Sequence, residues 1–117
     1  MSAHPFGHLP DLSTVDLTTW GRRSGLPRRI EIWMVRVADR YYITGTPGRR
    51  DWLANVRAKA EAVIHTQTHD VRCSVREVTE DAERRSVMKA AASHWYRSQR
   101  DLSDLVAHAP MIELAPA

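Results

Sequence analysis

The stretch Arg29-Ile30-Glu31-Ile32-Trp33-Met34-Val35-Arg36-Val37-Ala38-Asp39-Arg40-Tyr41-Tyr42-Ile43-Thr44-Gly45 decides the fold. From Arg29 to Val37 alternate side chains fall on two faces, Ile30, Ile32 and Met34 on one and Trp33, Val35 and Val37 on the other. A strand apolar on both faces is expected to be central. Ala38-Asp39 leaves room only for a tight connection. Arg40 to Gly45 then carries the β-favouring Tyr41, Tyr42 and Ile43, so the two runs predict a hairpin.

Working outward, Val15 to Thr19 alternates Val15 and Leu17 with Asp16 and Thr18, a short half-buried strand ending in Gly21-Arg22-Arg23-Ser24-Gly25 and Pro27. Residues 1–14 read as a loose arm ahead of a single domain over residues 15–117. Beyond the hairpin, Asp51 stands at an N-cap position before Trp52, Leu53, Val56 and Ala60, the face of a helix about ten residues long. Two strands, Ala62 to Thr66 and Val71 to Val78, flank the polar Thr68-His69-Asp70. Thr79, Glu80 and Asp81 open a long helix whose apolar stripe Val87, Ala91, His94 and Trp95 runs to about Tyr96. A polar loop follows, and Met111 to Leu114 is a final strand. Neighbouring strands are joined too tightly to be parallel. The order predicts a mainly β (α+β) fold: a split antiparallel β-barrel with a short and a long flanking helix.

Composition narrows the function. The 117 residues suffice for one core, 43% are apolar and 26% charged, and no apolar run approaches the roughly 20 residues that span a bilayer. The lone Cys73 makes no internal disulfide, and no secretory signal is visible, so a cytoplasmic location is expected. The net charge of +3 hides an imbalance, because all basic residues except Lys59 and Lys89 are arginine. Arginine suits bidentate contact with phosphate or carboxylate, but it also marks GC-rich coding. Arg72, Arg76, Arg84 and Arg85 read as surface charge of the second kind.

Ser24 is not placed as the centre of a nucleophile elbow, and Cys73 reads as an inert packing thiol within a strand. His65 and His69 run from strand to turn, His4 and His8 lie in the arm, and His94 reads as a core histidine, so no metal site is expected. The basic turn is more informative. Arg22, Arg23, Ser24, Arg28 and Arg29 gather guanidinium groups, a hydroxyl and backbone N–H groups around one loop, a pattern that fits both a phosphate site and a solvated basic turn. Trp52 and Asn55 are neighbours on one helical face, and an amide in a helix interior suggests a specific partner.

These residues carry a resemblance. The run Leu17-Thr18-Thr19-Trp20-Gly21-Arg22-Arg23-Ser24-Gly25-Leu26-Pro27-Arg28, followed by Glu31-Ile32-Trp33, the Tyr41-Tyr42 strand and Asp51-Trp52-Leu53-Ala54-Asn55-Val56-Arg57-Ala58, resembles the deazaflavin-dependent nitroreductase and quinone reductase group of split β-barrel oxidoreductases. The resemblance implies an enzyme that uses reduced coenzyme F(420), an 8-hydroxy-5-deazaflavin with a phosphodiester and oligoglutamate tail, with FMN as the alternative cofactor. The cofactor would supply the hydride chemistry, so no protein residue need be a nucleophile or metal ligand. By the same resemblance Arg22, Arg23, Ser24, Gly25 and Arg28 would grip the phosphate, with Arg49 and Arg50 as helpers. Glu31 and Ile32 would line the deazaflavin pocket, and Gly45 and Thr46 would let a strand approach the ring. Asp51, Trp52 and Asn55 would run along the cofactor, and Trp33, Trp95 and Tyr96 would meet the substrate. Two departures from the family pattern stand out: Glu31 occupies a position that is apolar or Pro in many members, and Arg49-Arg50 occupy a loop that often carries Lys.

The expected partner is a small-molecule electron acceptor, a quinone, nitroaromatic or activated enone, and the chain is expected to be a monomer or homodimer. The alternative reading is a non-catalytic split-barrel binder of a deazaflavin, flavin, haem or fatty acid. A nucleic-acid-binding barrel needs a basic face interleaved with aromatics. Here the aromatics fall at predicted core and pocket positions, so no nucleic-acid partner is expected.

Overall fold

The computed structural model describes residues 4–117. In chain order the elements are β1 (Leu12–Trp20), β2 (Pro27–Val37), β3 (Arg40–Thr44), α1 (Asp51–Ala58), β4 (Glu61–His65), β5 (Asp70–Glu77), α2 (Asp81–Lys89), a 3-10 turn (Ala91–Ser93), α3 (His94–Gln99), α4 (Leu102–His108) and β6 (Met111–Pro116). The strands form a closed antiparallel barrel in the order β1-β2-β3-β6-β5-β4, with β4 returning to β1. The predicted hairpin is present: Ala38 and Asp39 both take positive φ, 52° and 62°, the twist that a two-residue link between right-twisted strands demands.

Two apolar clusters follow from strand alternation. Inward-facing Val15, Leu17, Met34, Ile43, Ile64, Ile112 and Leu114 fill the barrel. Outward-facing Val35, Tyr42 and Met111 are covered by Val87, Met88, Tyr96, Leu105 and Val106 from α2, α3 and α4. The reading of residues 1–14 as a loose arm is corrected over the part described. β1 already begins at Leu12, and Phe6 is fully buried in the barrel cluster, edge-on to Tyr41 at 5.1 Å. The His4 ring stacks on the same Tyr41 at 4.8 Å, so this segment plugs the barrel. Residues 1–3 lie outside the described residues.

The long helix is also corrected. It breaks after Lys89, where Ala90 is extended (ψ 150°). Side chains take over the carbonyls that the break frees: Ser93 Oγ donates to the Val87 carbonyl at 2.7 Å, and Arg97 donates to those of Met88 and Ala90 at 2.6 and 2.7 Å. His94 is exposed rather than a core residue. The expected polar loop contains α4, whose Leu105 and Val106 are buried. Asp51 is the first helical residue of α1, and Arg50 holds the N-cap position.

Several arginines assigned to plain surface charge are structural. Arg84 is half-buried and donates to the carbonyls of Val106, Val78 and Ala109 at 2.6, 2.8 and 2.5 Å, fastening the end of α4 to the strand turn. Arg76 bridges Glu83 at 2.6 Å and Glu113 at 2.8 Å, and Tyr42 Oη donates to Glu83 at 2.7 Å. No helix among the described residues is long and apolar enough to cross a membrane.

The Arg76 hydrogen bond, joined by that of Tyr42, holds the Glu83 carboxyl below its ordinary range despite its partial burial. A carboxyl lowered in the folded state contributes stability that is complete above its unfolded pKa and is lost as pH falls through the folded one. The melting temperature should therefore drop as pH is lowered from about 5 toward 3, and Glu83→Gln should flatten that part of the profile.

Candidate functional site

β2 pairs with β1 from Pro27 to Val35, but with β3 only from Val35 to Val37. Its first half therefore leaves the barrel wall with one edge unpaired among the described residues. Strand alternation predicted burial on both faces here, and the structure corrects that. Ile30 and Trp33 are 40% and 37% exposed, because no neighbouring strand covers them. Two cavities follow one another along this edge, against the segment from Thr44 to Asn55.

The first cavity, about 570 Å³, is lined by Thr19, Gly21, Arg22, Arg23, Ser24, Arg28, Arg29, Ile30, Asp51, Trp52 and Asn55. Its rim is the β1–β2 turn, which its own hydrogen bonds hold tight. The Gly21 N–H donates to the Leu26 carbonyl at 2.8 Å, the Gly25 N–H to the Gly21 carbonyl at 2.8 Å, and the Leu26 N–H to Ser24 Oγ at 3.1 Å. A Cβ on Gly21 would meet Ser24 Oγ at 2.5 Å, and Gly25 sits at φ +70°, so neither position takes a side chain without strain.

Asn55 braces this turn. It is 3% exposed, accepts the Arg22 N–H on Oδ1 at 3.1 Å and donates from Nδ2 to Thr19 Oγ1 at 3.1 Å. Both ends of the amide are thus used inside the protein, tying the helix, the end of β1 and the basic turn together. Four guanidinium groups surround the cavity with unequal freedom. Arg29 is paired with Asp16 at 2.8 Å and Arg22 lies 3.6 Å from the exposed Asp51. Arg23 and Arg28 form no ion pair among the described residues. Trp52, 5% exposed, belongs to the barrel core and presents one surface to the cavity.

The second cavity, about 330 Å³, is lined by Glu31, Ile32, Trp33, Thr44, Gly45, Thr46, Arg50, Trp95 and Tyr96. Three aromatic rings form its wall, each roughly edge-on to the next: Trp33 to Trp95 at 5.3 Å, Trp33 to Tyr96 at 6.1 Å and Trp95 to Tyr96 at 5.6 Å. Burial pushes the Tyr96 phenol up to about 12, opposed by the nearby Arg50 charge. The phenol therefore stays protonated at neutral pH.

Nearly all the residues named from the sequence meet in these two cavities, although they come from five separate segments. Gly25 lines neither, and shapes the turn instead. Arg50 is displaced from its expected place among the tail-binding arginines, since it lies in the second cavity, and Arg49 is exposed and lines neither. Arg29, read with the basic turn, lines the first cavity, whereas Thr19, Gly21, Ile30 and Thr44 were missed as lining residues; all but Thr44 lie within or beside the quoted motif, which was the available signal. Cys73 is buried, and burial pushes its thiol up to about 12, so it is an inert packing group. No metal-ligating cluster occurs among the described residues. His65 Nε2 bonds Thr18 Oγ1 and its Nδ1 bonds Asp70 Oδ1, both at 2.7 Å, away from either cavity.

The model of the F(420)H(2)-dependent quinone reductase family matches residues 3–103. None of the curated proteins matches the sequence. Among solved structures, an F(420)-H2 dependent reductase is 18% identical with a TM-score of 0.64, covering 87% of this chain and 93% of that one. An F(420) reductase is 16% identical with a TM-score of 0.61, covering 99% of this chain and 96% of that one. HutZ, the heme storage protein from Vibrio cholerae, is 13% identical with a TM-score of 0.54 and covers 89% and 81%. At these identities the three likenesses show a shared barrel fold.

The brace can be checked directly. Asn55→Ala strands the Arg22 N–H and removes the partner of Thr19, so chemical denaturation should show a loss of roughly 1–3 kcal/mol. A loss below a few tenths would mean that Asn55 does not hold the turn.

Proposed function

The chain belongs to the F(420)H(2)-dependent quinone reductase family, and from that membership we propose how its trough is used: the first cavity holds the acidic tail of the coenzyme, and the second holds the deazaflavin ring with the acceptor beside it. The coenzyme's reduced ring supplies a hydride when bound. The chain's own residues bind, orient and shield.

The observation that carries the reading is the pair Arg23 and Arg28, two guanidinium groups that form no ion pair among the described residues, beside a hydrogen-bonded turn that Asn55 fixes to the barrel. Such groups match phosphodiester and carboxylate oxygens, and the pre-set turn spares the binding step the cost of ordering it. Arg22 and Ser24 add a third charge and a hydroxyl proton, since Ser24 Oγ uses its acceptor side for Leu26. In the second cavity Ile32, Gly45 and the flat rings of Trp33 and Trp95 suit a planar conjugated system. The acceptors that fit there are planar too: quinones, nitroaromatics and activated enones. Asn55 lines the same cavity as Arg23 and Arg28 and, beyond its two bonds to the turn, keeps one Nδ2–H that can face the coenzyme.

Titration with oxidised and reduced coenzyme, followed by absorbance, tests the reading. Saturable binding is expected, and Arg23→Ala with Arg28→Ala should weaken it by roughly ten- to a hundredfold, the loss of charge-assisted hydrogen bonds worth about 1.5–3 kcal/mol. No response to either form, with the fold intact by circular dichroism, would refute it.

A further inference from the structure

Arg50, like Arg84 and Arg97, is held by neutral acceptors, but it lines the cavity that Trp33, Trp95 and Tyr96 wall. Its Nη2 donates to the Thr46 carbonyl at 2.9 Å and reaches Thr46 Oγ1 at 3.4 Å, while Nη1 donates to the Arg49 carbonyl at 3.2 Å. All these acceptors are neutral. No carboxylate forms an ion pair with Arg50 among the described residues, so its orientation is fixed and its charge is left uncompensated.

Two glycines make the room. A Cβ on Gly45 would stand 3.0 Å from Nη2, and one on Gly48, at φ +145°, would stand 2.9 Å from Nη1. The guanidinium is thus cradled by backbone and presented to the second cavity. Facing the same space is Tyr96, 4% exposed, whose hydroxyl has no hydrogen-bond partner among the described residues. The Tyr96 hydroxyl opens to the cavity with its proton free to donate, and the held guanidinium has no counter-ion among the described residues, so both favour an incoming acceptor. A single ligand atom, an oxygen that bears negative charge, meets both.

We propose that Arg50 and Tyr96 form an oxyanion site in the second cavity, which receives the oxygen of the acceptor on which charge accumulates during reduction. This rests on the reductase reading given above. When a hydride adds to a conjugated quinone, one new C–H bond forms, a π bond of the ring system is given up, and the electron pair comes to rest on a carbonyl oxygen. The acceptor is reduced by two electrons, and the reductant of the family's reaction is oxidised by two. The resulting enolate, a keto tautomer of the hydroquinone monoanion, takes one proton from solvent and then enolises, the carbon-bound hydrogen leaving as a proton while another is gained on oxygen, to give the hydroquinone. Arg50 opposes the charge in place, and Tyr96 donates a hydrogen bond to the same oxygen, so both contacts are strongest after the electrons have moved. Glu31 lines the same cavity and is the opposing charge.

The test needs no turnover. 4-Nitrophenol is a planar phenol whose anion absorbs in the visible, and it reports the charge preference of the site through the pH at which the bound dye ionises. The protein without coenzyme should lower that midpoint by about one pH unit relative to free dye, a roughly tenfold preference for the phenolate. Arg50→Gln should abolish the shift, Arg50→Lys should keep part of it, Tyr96→Phe should reduce it and Glu31→Gln should enlarge it. The dye should still bind with the same preference when the protein is saturated with coenzyme. Absence of dye binding, an unshifted midpoint, or an equal shift in Arg50→Gln would overturn the proposal. Competitive displacement of the dye by coenzyme would overturn it as well, since the pair would then face the coenzyme ring. The dye arms without coenzyme are read independently of the coenzyme titration, so failure of this proposal and failure of the reductase reading are told apart.

Discussion

The structure depends on one inequality of strand pairing. β2 is long enough to pair with β1 from Pro27 to Val35, yet β3 engages it only from Val35 to Val37. A barrel wall that continued would have no trough. Because β3 parts from β2 after Tyr42 and continues beside β6, the side chains of Arg28 to Trp33 face a space closed from the other side by Thr44 to Asn55. An unpaired edge is usually a hazard that proteins blunt or cover. Here the edge is flanked by charged residues and by the bulky Trp33, and it lines two cavities in succession.

Polar side chains fasten what surrounds that edge. Asn55 joins α1 to the basic turn through the Arg22 N–H and Thr19. Arg84 and Arg97 collect the carbonyls freed where α4 ends and where α2 breaks. The break matters for the site: it turns α3 so that Trp95 and Tyr96 reach Trp33, which one continuous helix with its stripe against the barrel would not require. Arg50 is likewise fixed by carbonyls, and it lines the cavity that the three rings wall.

Strand periodicity made the hairpin, the antiparallel order and the barrel legible, because period-two alternation reports burial directly. It failed at Ile30 and Trp33, where apolar residues line a cavity rather than a core, and alternation cannot distinguish the two. Phe6 was missed because a single aromatic among prolines and histidines has no period, although tertiary packing buries it completely. The helix break was hidden because Ala90, Ala91 and Ala92 are good helix formers. The decisive partners, Ser93 and Arg97 reaching back to carbonyls, leave no mark in a hydrophobic pattern. The residues around Gly21 and Asn55, which line one cavity, were picked out together through resemblance, but the bonds Asn55 makes were not, since spacing does not say which way an amide points.

The central claim is that the unpaired edge of β2 is the ligand-binding surface. Amide hydrogen exchange, followed by mass spectrometry on peptides covering Arg28 to Trp33, measures this most directly. In the free protein these amides should exchange faster than those of β6, which is paired on both sides. Saturating coenzyme should slow them together with the Gly21 to Gly25 turn and the Gly45 to Asn55 segment. Unchanged exchange at Arg28 to Trp33, with protection appearing instead around Val78 to Pro110, would contradict the account.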